Sequence, residues 1–211
     1  MSNLQQKSIN MISSAYVLAL EGIGMKVNDK LRKNFISIFE NLISRYTETH
    51  RIFHTADHIA YVLNNLKTSK PEAILAAIYH DIIYIPGASQ NEYCSAQLAA
   101  GHLSALGVKM NVIMNVSKHI LSTEQHIPVG LIGNEELLDA DMSILAANRP
   151  TFNKYCYDLR LEFPHLSDSE FTSHRSRWAL EHLGRKKIFY SKKNVKLEKI
   201  ARVNLRTLTK I

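Results

Sequence analysis

The chain has 211 residues, 45% of them hydrophobic and 21% charged, which suits one globular domain and leaves no run apolar enough to cross a membrane. Its two cysteines, Cys94 and Cys156, each fall inside a helix-like pattern, which argues against a disulfide framework or a thiolate metal site and favours a cytoplasmic setting. The formal charge of +7 favours an anionic ligand such as a nucleotide, a nucleic acid or a phosphorylated metabolite. Much of the excess lies at the end of the chain, in Arg185, Lys186, Lys187, Lys192, Lys193, Lys196, Lys199, Arg202, Arg206 and Lys210. No aromatic residues are interleaved there at stacking spacing, so the segment reads as a solvated helix face and not as a nucleic-acid site.

Helical periodicity prevails almost throughout, without internal repeats, and predicts an all-α fold. Residues 9–20 are interrupted by Asn10, Ser13 and Ser14 and followed at once by Glu21, which suits a helix better than a signal peptide. Residues 28–46 place Leu31, Phe35, Ile38, Phe39, Leu42 and Ile43 at three- and four-residue steps, a core-facing stripe. A turn over 47–53 follows. Thr55 can then cap a helix reaching Leu66 whose apolar residues are Ile59, Val62, Leu63 and Leu66.

Pro71 opens a helix in which residues 73–84 are nearly all apolar except His80 and Asp81, so this helix is expected at the centre of the fold. Pro86 and Gly87 break the chain before a helix over 91–106, with Gly107 placed as its C-terminal glycine. Residues 112–121 form another helix, and residues 135–147 a further one that carries Asp139 and Asp141 among apolar neighbours. Pro150 starts a helix over 152–163, Ser167 or Asp168 caps one running through Trp178 to Leu183, and residues 196–208 form the last. Eight or nine helices in one bundle-like domain result, with residues 1–27 as a helical extension ahead of a core at 28–211.

Burying an ionised carboxylate or an unpaired imidazole is costly, so His80 and Asp81, set within Ala76-Ala77-Ile78-Tyr79-His80-Asp81-Ile82-Ile83, require partners in the fold. A metal ion meets that requirement economically. Further donors are offered by Arg51-Ile52-Phe53-His54-Thr55-Ala56-Asp57-His58 and by Leu138-Asp139-Ala140-Asp141-Met142. Imidazole and carboxylate together suit manganese, iron, magnesium, cobalt, nickel or zinc.

The order His, then His-Asp, then a distant Asp resembles the HD superfamily, and the fuller pattern resembles its predicted metal-dependent phosphohydrolase branch. The matching pieces are Arg51-x-Phe53-His54-x-x-x-His58, Tyr79-His80-Asp81-x-x-Tyr84, Asn91-Glu92-x-x-Ser95-Ala96 and Leu138-Asp139-Ala140-Asp141-Met142-Ser143-Ile144-Leu145, with a weaker Ala201-Arg202-x-Asn204-Leu205. The resemblance implies an HD-type bundle with one or two divalent ions on His58, His80, Asp81 and Asp141, where Asp141 fits the distant ligand better than Asp139. It implies His54 as a separate proton donor. The implied reaction is hydrolysis of a small phosphate ester by metal-activated water, with nucleotides and cyclic nucleotides among the substrates.

Around that set, Glu92 is expected to orient water or an imidazole just outside the ligands. Arg51 and Lys118 are candidate phosphate clamps, although Arg51 serves equally well as a cap on the carbonyls of a preceding helix. Asp57 reads as an exposed first-turn acid, and Arg175, Arg177 and Trp178 as packing and ion-pair residues; His119 and His126, which flank Thr123 near a loop, suit a surface or core place better than the pocket lining that they also offer. Two rival functions remain: an HD module that keeps its metal and senses a nucleotide without turning it over, and a basic helical nucleic-acid binder. No membrane partner is expected, and the oligomeric state is left open.

Overall fold

The computed structural model describes residues 3–25 and 29–209, and the side chains of all of these except 29–31. Asn28, the Leu31 side chain and Lys210, which the sequence reading invoked, lie outside this description. The described residues form ten α-helices and two short 3-10 helices without strands, an all-α bundle. The helices are α1 (Asn3–Gly22), α2 (Asp29–Tyr46), α3 (Ala56–Asn65), α4 (Pro71–Tyr79) and α5 (Asn91–Ala105). They continue with α6 (Met110–Leu121), α7 (Asn134–Asp141), α8 (Arg149–Leu161), α9 (Asp168–Gly184) and α10 (Glu198–Thr207). The 3-10 helices are Met142–Ala146 and Val195–Leu197.

Two apolar clusters organise these helices. The first gathers the inward residues of α1 to α6 with Leu137 and Ala140 of α7. Helix α1 is one of its walls and not an extension ahead of the core: Ile12, Tyr16, Ala19 and Leu20 are buried at helical spacing, and the Tyr16 and Tyr79 hydroxyls pair at 2.7 Å. Each fully buried Leu or Ile in this cluster contributes roughly 1.5–3 kcal/mol. The second cluster joins Met142, Ile144 and Leu145 to α8, α9, α10 and Phe189. Asp141 stands between Ala140 of the first cluster and Met142 of the second, at their seam.

Helix α4 ends at Tyr79, five residues before the expected Tyr84, and His80 and Asp81 occupy its exit. The cause is a set of side chains that take the backbone groups a continuing helix would have used. Arg51 donates to the carbonyls of Asp81 and Ile82, and Ser95 Oγ both accepts from Ile83 N–H and donates to Ile83 O. His50 donates to Tyr84 O, and Asn91 brackets Ile85 through both of its peptide groups.

Helix α7 likewise stops at Asp141 and tightens into the 3-10 turn, where the sequence predicts a helix through Ala147. Asn204 of α10 donates to Leu145 O and Ala147 O, and Ser143 Oγ donates to Ala140 O. Thr55 caps α3 as expected, and Ser167 caps α9 in a reciprocal box with Glu170. Gly107 adopts the left-handed conformation (φ 80°) that ends α5.

Candidate metal centre

Three segments deliver four of the predicted side chains to one place. His58 comes from the first turn of α3, His80 and Asp81 from the exit of α4, and Asp141 from the end of α7. His58 Nε2 lies 3.4 Å from His80 Nε2, 3.3 Å from Asp81 Oδ2 and 3.3 Å from Asp141 Oδ1. His80 Nε2 lies 3.2 Å from Asp81 Oδ2 and 3.5 Å from Asp141 Oδ1. All four side chains are largely withdrawn from solvent.

Burial opposes charge on every member, and the mixture of signs reverses that penalty. Asp141 and Asp81 hold the imidazoles of His58 and His80 above the ordinary histidine value despite desolvation. The two carboxyls, against the same desolvation, are held well below the usual carboxylate range, chiefly by His80. Two ring nitrogens facing each other across 3.4 Å between carboxylates form a site where a cation can replace protons.

The donor geometry fits that exchange. His58, His80 and Asp141 form a group able to hold a metal ion. Bonds of about 2.0–2.2 Å to nitrogen and oxygen place neighbouring donors roughly 3.0–3.5 Å apart, the spacing found among these atoms. Asp81 Oδ2 touches the same two imidazole nitrogens. His80 donates from Nδ1 to Ala77 O at 3.0 Å, which leaves Nε2 for the cluster. Among the described residues His58 Nδ1 has no hydrogen-bond partner, and its ring is positioned by the rings of Phe53 at 4.8 Å and His54 at 5.6 Å.

The two neighbouring acids of α7 have separate tasks. Asp139 is fully buried, and its two oxygens accept from the backbone N–H groups of Tyr190 (2.7 Å) and Ser191 (2.9 Å), so it anchors the 190–191 loop away from the cluster. Asp141 is oriented instead by His126, whose Nε2 sits 2.9 Å from Oδ2. His126 reaches it from a left-handed backbone (φ 50°), with its carbonyl accepting from the Tyr190 hydroxyl. Thus His126, for which the sequence favoured a surface or core place over the pocket lining, belongs to the site.

His54 stands beside the cluster and faces the same cavity, which encloses about 250 Å³. Its Nδ1 lies 2.6 Å from Glu162 Oε2, and its ring stacks 4.0 Å from that of Tyr84. Glu162 is the residue that sequence reasoning missed. Its Oε1 accepts from the N–H groups of Ile52, Phe53 and His54 at 2.8, 2.8 and 2.9 Å, while Oε2 also accepts from Tyr84 Oη at 2.9 Å. Burial works against its charge, yet these bonds, His54 first, lower its pKa to about 2. At the end of α8, close to Asp158 and Arg160, it has no contrast with its sequence neighbours that would have marked it.

Glu92 also lines the cavity, half-buried, with its carboxyl pushed up by desolvation and by Asp81. Arg51 corrects an expectation. Its fully buried guanidinium is committed to Glu48 Oε2 and to the carbonyls of His54, Asp81 and Ile82, so it fastens the segments bearing His54 and Asp81 and cannot clamp a substrate. Lys118 is exposed and does not line the cavity, and Asp57 accepts from Ser8 Oγ at 2.6 Å on the outer side of α3. His119 is buried in a separate network with Asn134. Arg175 and Trp178, expected to serve packing, both reach the cavity wall.

Part of the C-terminal basic excess is absorbed locally, with Arg185 on Glu181 and Gln125 O, and Arg202 on Glu198, Leu183 O and Arg185 O. No described helix is long and apolar enough to cross a membrane. Fold and site together define an all-helical protein with a buried His/Asp cluster able to hold a metal ion. Comparisons of the chain with protein-family models, with curated proteins and with solved structures give no match.

Proposed function

We propose that the chain is a metal-dependent phosphohydrolase of the HD type, acting on a small phosphate ester, nucleotides and cyclic nucleotides included, in the cytoplasm. The observation that supports this most is the pairing of two devices in one cavity: the His58, His80, Asp81 and Asp141 cluster, and beside it His54 held on Glu162. The first device suits one or two divalent ions among manganese, iron, magnesium, cobalt, nickel and zinc, because all its donors are nitrogen or oxygen. The ion, when bound, lowers the pKa of water and offsets charge on the phosphoryl oxygens.

The chain's own groups do the rest. Glu162 stays ionised at neutral pH and fixes the His54 ring through Nδ1, which leaves Nε2 facing the cavity to hand a proton to the departing alkoxide. Glu92 orients a water molecule on the side of Asp81. Removing a proton donor of this kind costs a hydrolase about 10²–10⁴-fold in rate.

The test is a panel of phosphate monoesters, diesters and nucleoside phosphates, assayed before chelation, after it and with one divalent ion restored. Turnover that disappears with chelator and returns with the ion is the expected result. A nucleotide bound without turnover would point to the sensor reading, and turnover indifferent to chelator would overturn the proposal.

A further inference from the structure

Among the described residues that line the cavity, Arg175 is the one arginine or lysine, in a lining that also holds the acids and imidazoles of the His/Asp cluster. Its surroundings set it apart from the structural arginines of the same fold. Arg51 binds Glu48 and three carbonyls, Arg160 binds Asp168 and two carbonyls, and Arg202 binds Glu198 and two carbonyls. Each of these has a carboxylate counter-ion and a filled set of acceptors. Among the described residues, Arg175 makes a single hydrogen bond, from Nη2 to Tyr155 Oη at 2.8 Å, and pairs with no carboxylate.

What holds Arg175 in place is aromatic. Its guanidinium lies 4.3 Å from the Trp178 ring centroid and 5.6 Å from that of Tyr155. Stacking fixes the plane of the fork without consuming its N–H donors, so Nε and Nη1 remain for an acceptor from outside the chain. Tyr155 in turn packs edge-on to Phe53 at 4.8 Å, and Phe53 packs on His58 at 4.8 Å, which links the placement of Arg175 to that of the metal cluster. Arg175 is part-buried and its remaining donors are not sealed from solvent, so an oxyanion entering the cavity can take the place of water on them.

We infer that Arg175, stacked on Trp178 and braced by Tyr155, is the substrate-binding residue of this cavity and takes a phosphoryl oxygen of the anionic ester. The inference rests on the reading of the site as a phosphohydrolase, and it supplies what that reading lost when Arg51 proved to be structural. A planar fork matches two oxygens of a phosphoryl group, whereas a lysine in its place offers only a point charge.

Inorganic phosphate is the probe, titrated calorimetrically into metal-loaded protein and, separately, into chelated protein. Arg175→Gln is expected to weaken phosphate binding about 10-fold or more, with unchanged metal content and melting temperature. Arg175→Lys recovers part of the loss, and Arg177→Gln, an exposed arginine two residues on, changes nothing. Tyr155→Phe, which removes the brace without the charge, falls between wild type and Arg175→Gln.

Equal phosphate affinity in Arg175→Gln and wild type overturns the inference, as does an equal loss in Arg177→Gln or a wild type that binds no phosphate in either form. If Arg175→Gln loses metal or stability, Arg175→Lys decides: restored folding with wild-type phosphate affinity overturns the forked contact, and restored folding with weakened affinity supports it. Metal content reads the His/Asp cluster and phosphate binding reads Arg175, so failure of one is visible separately from failure of the other.

Discussion

His80 and His119 are equally withdrawn from solvent, yet the fold uses them in opposite ways. His80 faces Asp81 and Asp141, which hold its imidazole above the ordinary value against the effect of burial. His119 faces Asn134, whose Oδ1 is occupied by Val129 N–H and whose Nδ2 therefore donates to His119 Nδ1 and Ser122 Oγ. An amide donor at Nδ1 demands a lone pair there, and burial lowers the His119 pKa to about 4. Of these two buried histidines, the one that faces carboxylates is the candidate ligand. The same residue type beside an amide is a fixed, neutral part of the core.

That contrast can be broken first by truncating each ring. His80→Ala should reduce turnover of the best phosphate ester to background, whereas His119→Ala should keep turnover and lose about 1–3 kcal/mol of stability, because one of the two acceptors of Asn134 Nδ2 is removed from a buried site. Denaturant unfolding and a steady-state assay on both variants read this directly. Loss of turnover in both, at full folding, would remove the distinction.

A smaller effect is expected one step out from the cluster. Glu162→Gln should lower kcat about 10–100-fold, with metal content retained, because it releases His54 Nδ1 and weakens the hold on three backbone N–H groups. A fall in KM alone, with kcat unchanged, would show that Glu162 does not act through His54.

The acids of α7 sharpen the comparison further. Asp139→Asn should keep metal and activity and cost about 1–3 kcal/mol, since an amide can replace only part of what two carboxylate oxygens accept from Tyr190 and Ser191. Asp141→Asn should lose the metal instead. An inverted pattern would reassign the distant ligand.

The mildest effect is one of pH. His119 and His182, both lowered to about 4 chiefly by burial, stay neutral in the fold where the unfolded chain already takes up protons. Their contribution to stability is therefore complete above about 6.5 and is lost as pH falls through about 4, by up to about 3 kcal/mol for each group. His119→Gln should flatten the stability profile between pH 7 and 4. A profile identical to wild type would show that His119 is not the neutral buried group described.

His80 and Asp81, and the pair Asp139 and Asp141, were legible as charged groups set inside apolar helical runs, whereas His54, His58 and the choice of Asp141 over Asp139 came from the resemblance to the HD pattern. Glu162, His126 and Arg175 carried no such contrast, because a helix end, a loop and a polar helix are ordinary places for them. Glu162 reaches His54 across 108 positions, a separation no local pattern encodes.

The same limit explains the two misplaced helix ends. Periodicity continues past Tyr79 and Asp141, while the helices stop where Arg51, Ser95, Asn91 and Asn204 arrive from distant segments to take the backbone. Arg51 was misjudged for a related reason. An arginine near a His motif suits a phosphate and a carbonyl cluster equally, and only the folded chain shows that its donors are already filled.

Elemental analysis of the protein purified without added metal, beside His80→Ala, Asp141→Asn and His119→Ala, tests the central claim most directly. One or two divalent ions per chain in the wild type and in His119→Ala, with none retained by His80→Ala or Asp141→Asn, is the predicted result. A wild type free of metal that takes none up on dialysis, or the same content in all four proteins, would contradict it.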